Sequence, residues 1–554
     1  MDFRKRQHIA LVLITIFSLS LIRAQKKDGN DPQPFKSPKL VVGIVVDQMR
    51  YDYLTRFWSH YGDGGFKRMV QDGFLCKDHH FNYAPTSTGP GHASVYTGAT
   101  PSIHGIIGNN WYDKDSDQSV YCVDDPAYNS VGTQGNAGKA SPHRLLVSTV
   151  TDQLRLHTQM RAKVVAVALK DRGAVLPGGH TANAAYWFVG GEEGKWISST
   201  YYMNSLPAWV QRYNESKAID AYKKPWNTLK KITSYQESTD DDNAYEGLFN
   251  GKEKPVFPYN LPALWEANGG YDILRSTPYG NNMTTDFAIE ALKGENLGQD
   301  DITDFLAISY SSTDYAGHKF GVDSKEVQDT YLRLDLELEK LLEKLDKEVG
   351  KGEYTVFLTA DHGAVPVPAY LSSKKVPAGY DDAIMGNQQF QDFLEYKYGG
   401  AQLIQNISND QIFLDHEIVR SLDLDLREVQ EELARELLGY EGISQVYTAY
   451  QMQNNNFTKG IPYILQNGYS QKRSGDVLFV PRSGYINYSK TGSTHGSAEI
   501  YDTHVPLLFY GAGIAKGATT ERTEIPDIAP TISAILGIAY PSGTTGSPIP
   551  EVLE

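Results

Sequence analysis

Residues 39–48 read KLVVGIVVDQ, an unbroken run of seven apolar or glycine positions closed by an acid. A strand with one wet face alternates polar and apolar residues, whereas one covered on both faces reads as continuous Val/Ile/Leu. The same design recurs in KVVAVALKDRG (163–173), DFLAISYSSTD (304–314), EYTVFLTADHG (353–363) and HVPLLFYGAG (504–513). Helical spacing lies between these runs. VDSKEVQDTYLRLDLELEKLLEKLDKEVG (322–350) puts Leu334, Leu338, Leu341 and Leu345 on one face, and Ile525–Leu536 reads as a closing helix with Pro526 near its start. The alternation predicts an α/β fold, a mostly parallel central sheet sandwiched by helices, over residues 39–554. Two stretches break it and read as insertions: 174–300, rich in Trp, Tyr, Gly and Asn, and 364–494, with one helix over 426–440 and short strand-like runs.

At 554 residues, 40% hydrophobic and 21% charged, the chain has the composition of a large packed protein. Its start differs in kind. Arg4, Lys5 and Arg6 precede an apolar run, Ile9–Ile22, that is too short to span a bilayer comfortably and ends near Ala24. Residues 1–24 therefore read as a secretory signal peptide, with an uncleaved anchor as the alternative, and 25–38 as a polar linker. The expected location is periplasmic or secreted. Residues 1–24 carry a net +3, so their removal takes the formal charge from −15 to −18. Such a surface repels nucleic acid and anionic membrane. No nucleic-acid partner is expected, nor stable membrane association after cleavage. Cys76 and Cys122 can pair in an oxidising compartment or stay as two buried thiols, and neither has the spacing of a thiolate zinc site. The sequence assigns no oligomeric state.

Ligands of open α/β sheets bind beyond the carboxyl ends of the strands. Those ends carry Asp47, Lys170 with Arg172, Asp314, and Asp361 with His362. Asp314 and His318 meet if a turn of helix follows the strand, and His495 lies in the loop STHGS. Each residue alone reads equally as a cap or turn residue. Together, three Asp and three His can serve two cations with three donors each and leave positions open for substrate. Carboxylate and imidazole without thiolate suit catalytic zinc, while calcium and magnesium prefer oxygen-only cages.

The stretch NYAPTSTGPGHASVYTG (82–98) sets Thr86, Ser87 and Thr88 ahead of Gly-Pro-Gly. Pro90 predicts a helix beginning near residue 90 with Thr88 at its threshold. A helix N-terminus suits an anion, and Gly89 has no side chain to hold one off. An ordinary Ser/Thr cap is the other reading. A threonine hydroxyl needs activation to act as a nucleophile. Two cations about 4 Å apart can stabilise the entering and leaving oxygens of an in-line displacement. Lys170 and Arg172 then fit the oxygens of a phosphoryl group, or else are solvated strand-end charges.

Taken in order, VVDQMR (45–50), TSTGPGHASVYTG (86–98), HGIIGNNWYD (104–113), LKDRGAVLP (169–177), STDYAGH (312–318), TADHG (359–363) and STHGS (493–497) resemble the alkaline phosphatase superfamily. Most closely they resemble its PafA-type phosphate-irrepressible periplasmic alkaline phosphatases, relatives of the nucleotide pyrophosphatase/phosphodiesterase branch. The resemblance implies that Thr88 is a nucleophile that becomes transiently phosphorylated. It implies one zinc on Asp314, His318 and His495, for the leaving oxygen, and a second on Asp47, Asp361, His362 and the Thr88 hydroxyl. It also implies that Asn109, with Asn110 as the neighbouring candidate, grips the non-bridging oxygens beside Lys170 and Arg172. The implied activity is hydrolysis of small phosphate monoesters over a broad range. A phosphodiesterase/nucleotide pyrophosphatase and a non-catalytic phosphate-binding protein are the alternatives. A sulfatase is disfavoured, because the C-x-P-x-R pattern is missing around Thr88. His92 and His104 lie near the proposed site and read as supporting or packing residues with no ligand role, and His79, His80 and His504 read as ordinary loop residues.

Overall fold

The computed structural model describes residues 37–380 and 386–553. The signal-peptide segment 1–24 and nearly all of the linker 25–38 lie outside the described residues.

Ten strands build one central sheet: β1 (Leu40–Val46), β2 (Phe74–His80), β3 (Ser130–Val131), β4 (Val164–Ala168), β5 (Ala184–Val189), β6 (Lys195–Ser199), β7 (Asp304–Tyr310), β8 (Tyr354–Thr359), β9 (Leu507–Gly511) and β10 (Gly517–Glu524). They are ordered β10-β2-β9-β8-β1-β7-β4-β5-β6-β3. The middle block β8-β1-β7-β4-β5 is parallel throughout. All seven residues of β1 are buried, as the opening apolar run requires. The architecture is the expected α/β sandwich, and the sheet is mixed. β9 runs antiparallel to both β8 and β2, while β6 is antiparallel to β5 and β3 to β6.

The orientation of β9 is the main departure from the sequence reading. Its apolar run resembles the parallel ones because Leu507–Tyr510 are buried, and burial on both faces, not strand direction, writes such a run. Reversal has a benefit for the site. Thr359 at the carboxyl end of β8 pairs with Leu507 at the start of β9, so the loop ahead of β9 opens on the edge where β1, β7 and β8 end.

Five helices matter most: α1 (Thr88–Thr97), α2 (Asp171–Gly178), α3 (Pro278–Gly294), α4 (Ser312–Phe320) and α5 (Lys325–Leu345). On α5 the four leucines of the predicted stripe, Leu334, Leu338, Leu341 and Leu345, are all buried. The stretch 174–300 supplies β5, β6 and α3, so part of it belongs to the central sheet. Its strands AAYWFV and KWISS are short and aromatic, which hides them from a search for aliphatic runs. Within 364–494 a separate four-stranded sheet forms from Ile404–Ser408, Gln411–Leu414, Val477–Pro481 and Ile443–Thr448. A helix, Leu426–Leu437, buries Val429, Leu433 and Leu437 in a second apolar cluster there. Cys76 and Cys122 are buried and unpaired. Among the described residues no helix is long and apolar enough to cross a membrane.

Candidate active site

The strand ends converge. Val45 of β1 pairs with Thr359 of β8, and Val46 with Tyr310 of β7, so the residues just beyond each pair share one edge. Asp47 follows β1, Asp361 and His362 follow β8, and α4 begins two residues after β7 and carries Asp314 in its first turn. Four residues on, one helical turn, stands His318. Donor atoms of Asp47, Asp361 and His362 lie within 4.8 Å of one another, and those of Asp314, His318 and His495 form a second such set. All six side chains that the sequence nominated are therefore gathered, three and three.

The histidines are oriented alike. His318 Nδ1 donates to Ser493 O at 2.8 Å, His495 Nδ1 to Thr86 O at 2.8 Å, and His362 Nδ1 to Gly363 O at 3.0 Å. A carbonyl only accepts, so each ring carries a proton on Nδ1 and turns Nε2 toward the carboxylates. This is the arrangement that orients imidazoles around a metal ion. His318 Nε2 lies 3.1 Å from Asp314 Oδ1, and His362 Nε2 lies 3.5 Å from Asp47 Oδ1. In the fully buried set, Asp47 Oδ1, Asp361 Oδ2 and His362 Nε2 each have no hydrogen-bond partner. Buried polar atoms without partners cost stability. Here one comes from each member of the set, so a divalent cation fits the group.

Electrostatics agree with that fit. Burial pushes the Asp47 carboxyl well above the usual range, and repulsion from Asp314 and Asp361 adds to it. Burial acts the same way on Asp314, but His318 and Lys170 outweigh it and hold this group well below the usual range. Burial of Asp361 is likewise outweighed by His362 and His92. His495 is pushed well below its ordinary value by burial and by His362 and His318. Three carboxylates in one closed space call for positive charge that His362 and His495, both pushed down by burial, do not supply.

Some of that charge comes from Lys170, whose Nζ donates to Asp47 Oδ2 and to Asp314 Oδ2, both at 2.6 Å. The amine thus stands between the two sets and, at 3.4 Å, reaches Thr88 Oγ1. Arg172 Nη2 reaches the same hydroxyl, also at 3.4 Å. Thr88 is the first residue of α1, after an extended Ser87, so the helix starts two residues earlier than Pro90 suggested. Proline is tolerated there because N–H groups in the first turn have no intrahelical partner. Asn109 Oδ1 accepts from Gly89 N at 2.7 Å, which fixes Asn109 beside the start of α1. Asn110 is exposed, and its carbonyl accepts from Asn409.

Two contributors escaped the sequence reading. Gln48 donates through its backbone N–H to Asp361 Oδ1 at 3.1 Å and through Nε2 to Asp314 Oδ1 at 2.7 Å. It does so with φ at +66°, a region that costs a non-glycine residue energy. A buried amide directly after a strand-end acid was the available signal. Tyr121 is the second. Its hydroxyl donates to Asp171 Oδ1 at 2.5 Å and accepts from Arg172 Nη1 at 2.9 Å. His92, one helical turn after Thr88, lies beside the site in the supporting place the sequence reading gave it. Its Nδ1 donates to Thr88 O at 2.9 Å and lies 3.3 Å from Asp361 Oδ2, while Nε2 meets Ser309 Oγ at 2.8 Å. By contrast His79 and His80, read as loop residues, end strand β2.

Residues 41–505 match the family model of type I phosphodiesterase/nucleotide pyrophosphatase. A protein from Myroides odoratus named calcium-transporting ATPase is 42% identical, and the match covers 99% of each chain. Alkaline phosphatase PafA from Elizabethkingia meningoseptica is 44% identical across 93% of this chain and 94% of that one. The crystal structure of wild-type alkaline phosphatase PafA superposes with a TM-score of 0.90 at 43% identity, covering 94% of this chain and 100% of that chain. The chain belongs to the type I phosphodiesterase/nucleotide pyrophosphatase family and, within the alkaline phosphatase superfamily, is an enzyme of the PafA-type alkaline phosphatases.

Proposed function

We propose that this enzyme hydrolyses small phosphate monoesters, over a broad range, at a two-zinc site through a transient phosphothreonine at Thr88. Asp314, His318 and His495 would hold one ion, and Asp47, Asp361, His362 and the Thr88 hydroxyl the other. When bound, the pair supplies Lewis acidity toward the entering and leaving oxygens. Thr88 Oγ1 attacks phosphorus, forming the Oγ1–P bond as the bond to the leaving alcohol breaks. Water then cleaves the Oγ1–P bond, releasing phosphate and restoring the hydroxyl. The N-terminus of α1 and Arg172 face the non-bridging oxygens, with Lys170 charge beside them. Asn109, whose Oδ1 accepts from Gly89 N at 2.7 Å, grips a non-bridging oxygen through Nδ2 beside Lys170 and Arg172.

The observation that carries this reading is the pair of cations, Lys170 and Arg172, each 3.4 Å from Thr88 Oγ1. A monoester brings more negative charge on its transferred group than a diester and gains more from both. The groups converge on a single hydroxyl, which favours hydrolysis over the ion transport named for the Myroides relative. One feature favours a phosphodiesterase instead. A cavity of ≈ 600 Å³ runs from Lys170 and Arg172 past Trp187, Phe188 and Tyr315 and has room for a second ester substituent.

Comparing p-nitrophenyl phosphate with its bis ester separates the two, and faster diester turnover overturns the monoesterase reading. Thr88→Ala should abolish turnover while two zinc ions per chain remain. A chelator should inactivate the enzyme and zinc restore it. Residues 1–24 support export to the periplasm or medium, and the N-terminal sequence of protein recovered from those fractions checks it.

A further inference from the structure

Two of the groups assigned to the phosphoryl oxygens stand at the feet of one hairpin. Asn110–Asp113 and Gln118–Tyr121 form an antiparallel pair, with Asn110 opposite Tyr121. Asn109 precedes the first strand, and its carbonyl accepts from Cys122 N, just beyond the second, at 2.9 Å. Asn109 Oδ1 also holds the start of α1, while Tyr121 holds Arg172. The hairpin thus sets where Asn109 and Arg172 stand relative to each other.

A two-stranded hairpin is marginal by itself. This one forms a sheet of its own and leans along its length on the inserted segment 364–494. At its foot, Asn409 Nδ2 donates to Asn110 O at 2.8 Å. Asn409 and Asp410, with φ at +52° and +57°, make the turn that joins Ile404–Ser408 to Gln411–Leu414. Gly108 leaves room for that turn, since a Cβ there would lie 3.0 Å from Asn409 Nδ2. Midway, the Tyr112 ring meets Phe413 edge-on at 5.3 Å, and the Arg473 guanidinium lies 5.1 Å from the centre of the Trp111 ring. Farther along, Lys114 Nζ donates to Gln471 O and Ser474 O, both at 2.9 Å. Ile412 and Leu414, on either side of Phe413, are buried in the insertion's own apolar cluster, so these partners stand on a packed support.

We propose that segment 364–494 braces the phosphoryl-binding groups, with Asn409 and Lys114 as positioning residues. They fix the hairpin, and the hairpin aims Asn109 and, through Tyr121, Arg172. The proposal rests on the roles given to Asn109 and Arg172 above. Because both positioning residues act through other groups, their effect should be felt on phosphate and should vanish once those groups are removed.

The test measures inhibition by inorganic phosphate, and kcat/KM for p-nitrophenyl phosphate, on the zinc-loaded enzyme. Asn409→Gly removes the donor and suits a positive φ. Lys114→Met keeps the apolar stem and removes the ammonium. In each variant the phosphate inhibition constant should rise by about threefold to tenfold, the scale of one or two lost hydrogen bonds, with kcat/KM falling to match. Zinc per chain should stay at the parent's value. In an Asn109→Ala/Arg172→Ala background the same substitutions should change the constant by less than about twofold, because residues that act through one another are not additive. Parental constants in both variants, full additivity in that background, or loss of zinc overturns the brace. A background enzyme that binds phosphate as the parent does overturns the roles of Asn109 and Arg172 themselves, and the brace with them.

Discussion

Gln48 Nε2 stands 2.7 Å from Asp314 Oδ1, and this bond crosses from the chain segment of one triplet of donors to the carboxylate of the other. Gln48 follows Asp47 directly and also binds Asp361 through its backbone N–H. Groups that orient metal ligands typically cost 10–100-fold in affinity or activity when removed. Gln48→Ala should therefore lower kcat/KM by about 10–100-fold and weaken zinc retention in a chelator competition. Full activity and unchanged retention would show that the carboxylates hold their places without it.

Tyr121 holds Arg172 against Asp171 while Arg172 faces Thr88. A hydrogen bond to a charged group contributes about 1.5–3 kcal/mol, so Tyr121→Phe should reduce kcat/KM by about tenfold or more. Inhibition by product phosphate should weaken in parallel, because the guanidinium loses its fixed direction. An unaltered phosphate inhibition constant would separate Tyr121 from Arg172.

Gly91 lets α1 rest on the strand-end backbone. A Cβ there would stand 2.3 Å from Asp361 O and 2.6 Å from Asp361 Cβ. Backbone cannot swing aside as a flexible side chain does. Gly91→Ala should destabilise by about 1–3 kcal/mol, read from urea denaturation, and should reduce activity more than stability by displacing Asp361. A variant with parental midpoint and rate would disprove the contact.

Asp502 accepts from Ser497 Oγ at 2.6 Å, Ser497 N at 2.8 Å and Gly496 N at 3.2 Å, in the loop that carries His495. Burial pushes its carboxyl from an ordinary 3.8 up to about 7, against the pull of those donors. Between these values the folded chain keeps a proton that the unfolded chain has released. The contribution to stability is complete below pH 3.8 and is lost as pH rises to about 7. Asp502→Asn cannot titrate, so its stability should fall less over that window, and above it the variant should gain on the parent. Parallel stability–pH curves for the two proteins would contradict the shift.

The readable parts of this molecule are those where one physical demand governs each position. β1, β4, β7 and β8 are covered on both faces, so their sequences are apolar without break and each ends on the residue that meets solvent or ligand. Asp47, Asp314 and Asp361 with His362 were legible for that reason. β2 and β10 were not, since Lys77 and Asp78 interrupt the first and the edge strand GATTERTE is mostly exposed. The direction of β9 left no trace either, because burial is blind to orientation. Gln48 and Tyr121 were missed for another reason: their value lies in partners 266 and 50 residues away, Asp314 and Asp171. Only the folded chain brings those together.

The placing of β2 has a consequence for biosynthesis. Its two neighbours, β9 and β10, come last among the central-sheet strands in chain order. A nascent chain that has already made Phe74–His80 must carry that strand with both edges bare until residues 507–524 emerge. Deleting residues 507–524 would strip β2 of every partner in the sheet, so the sheet around β2 is completed only once that segment has been made.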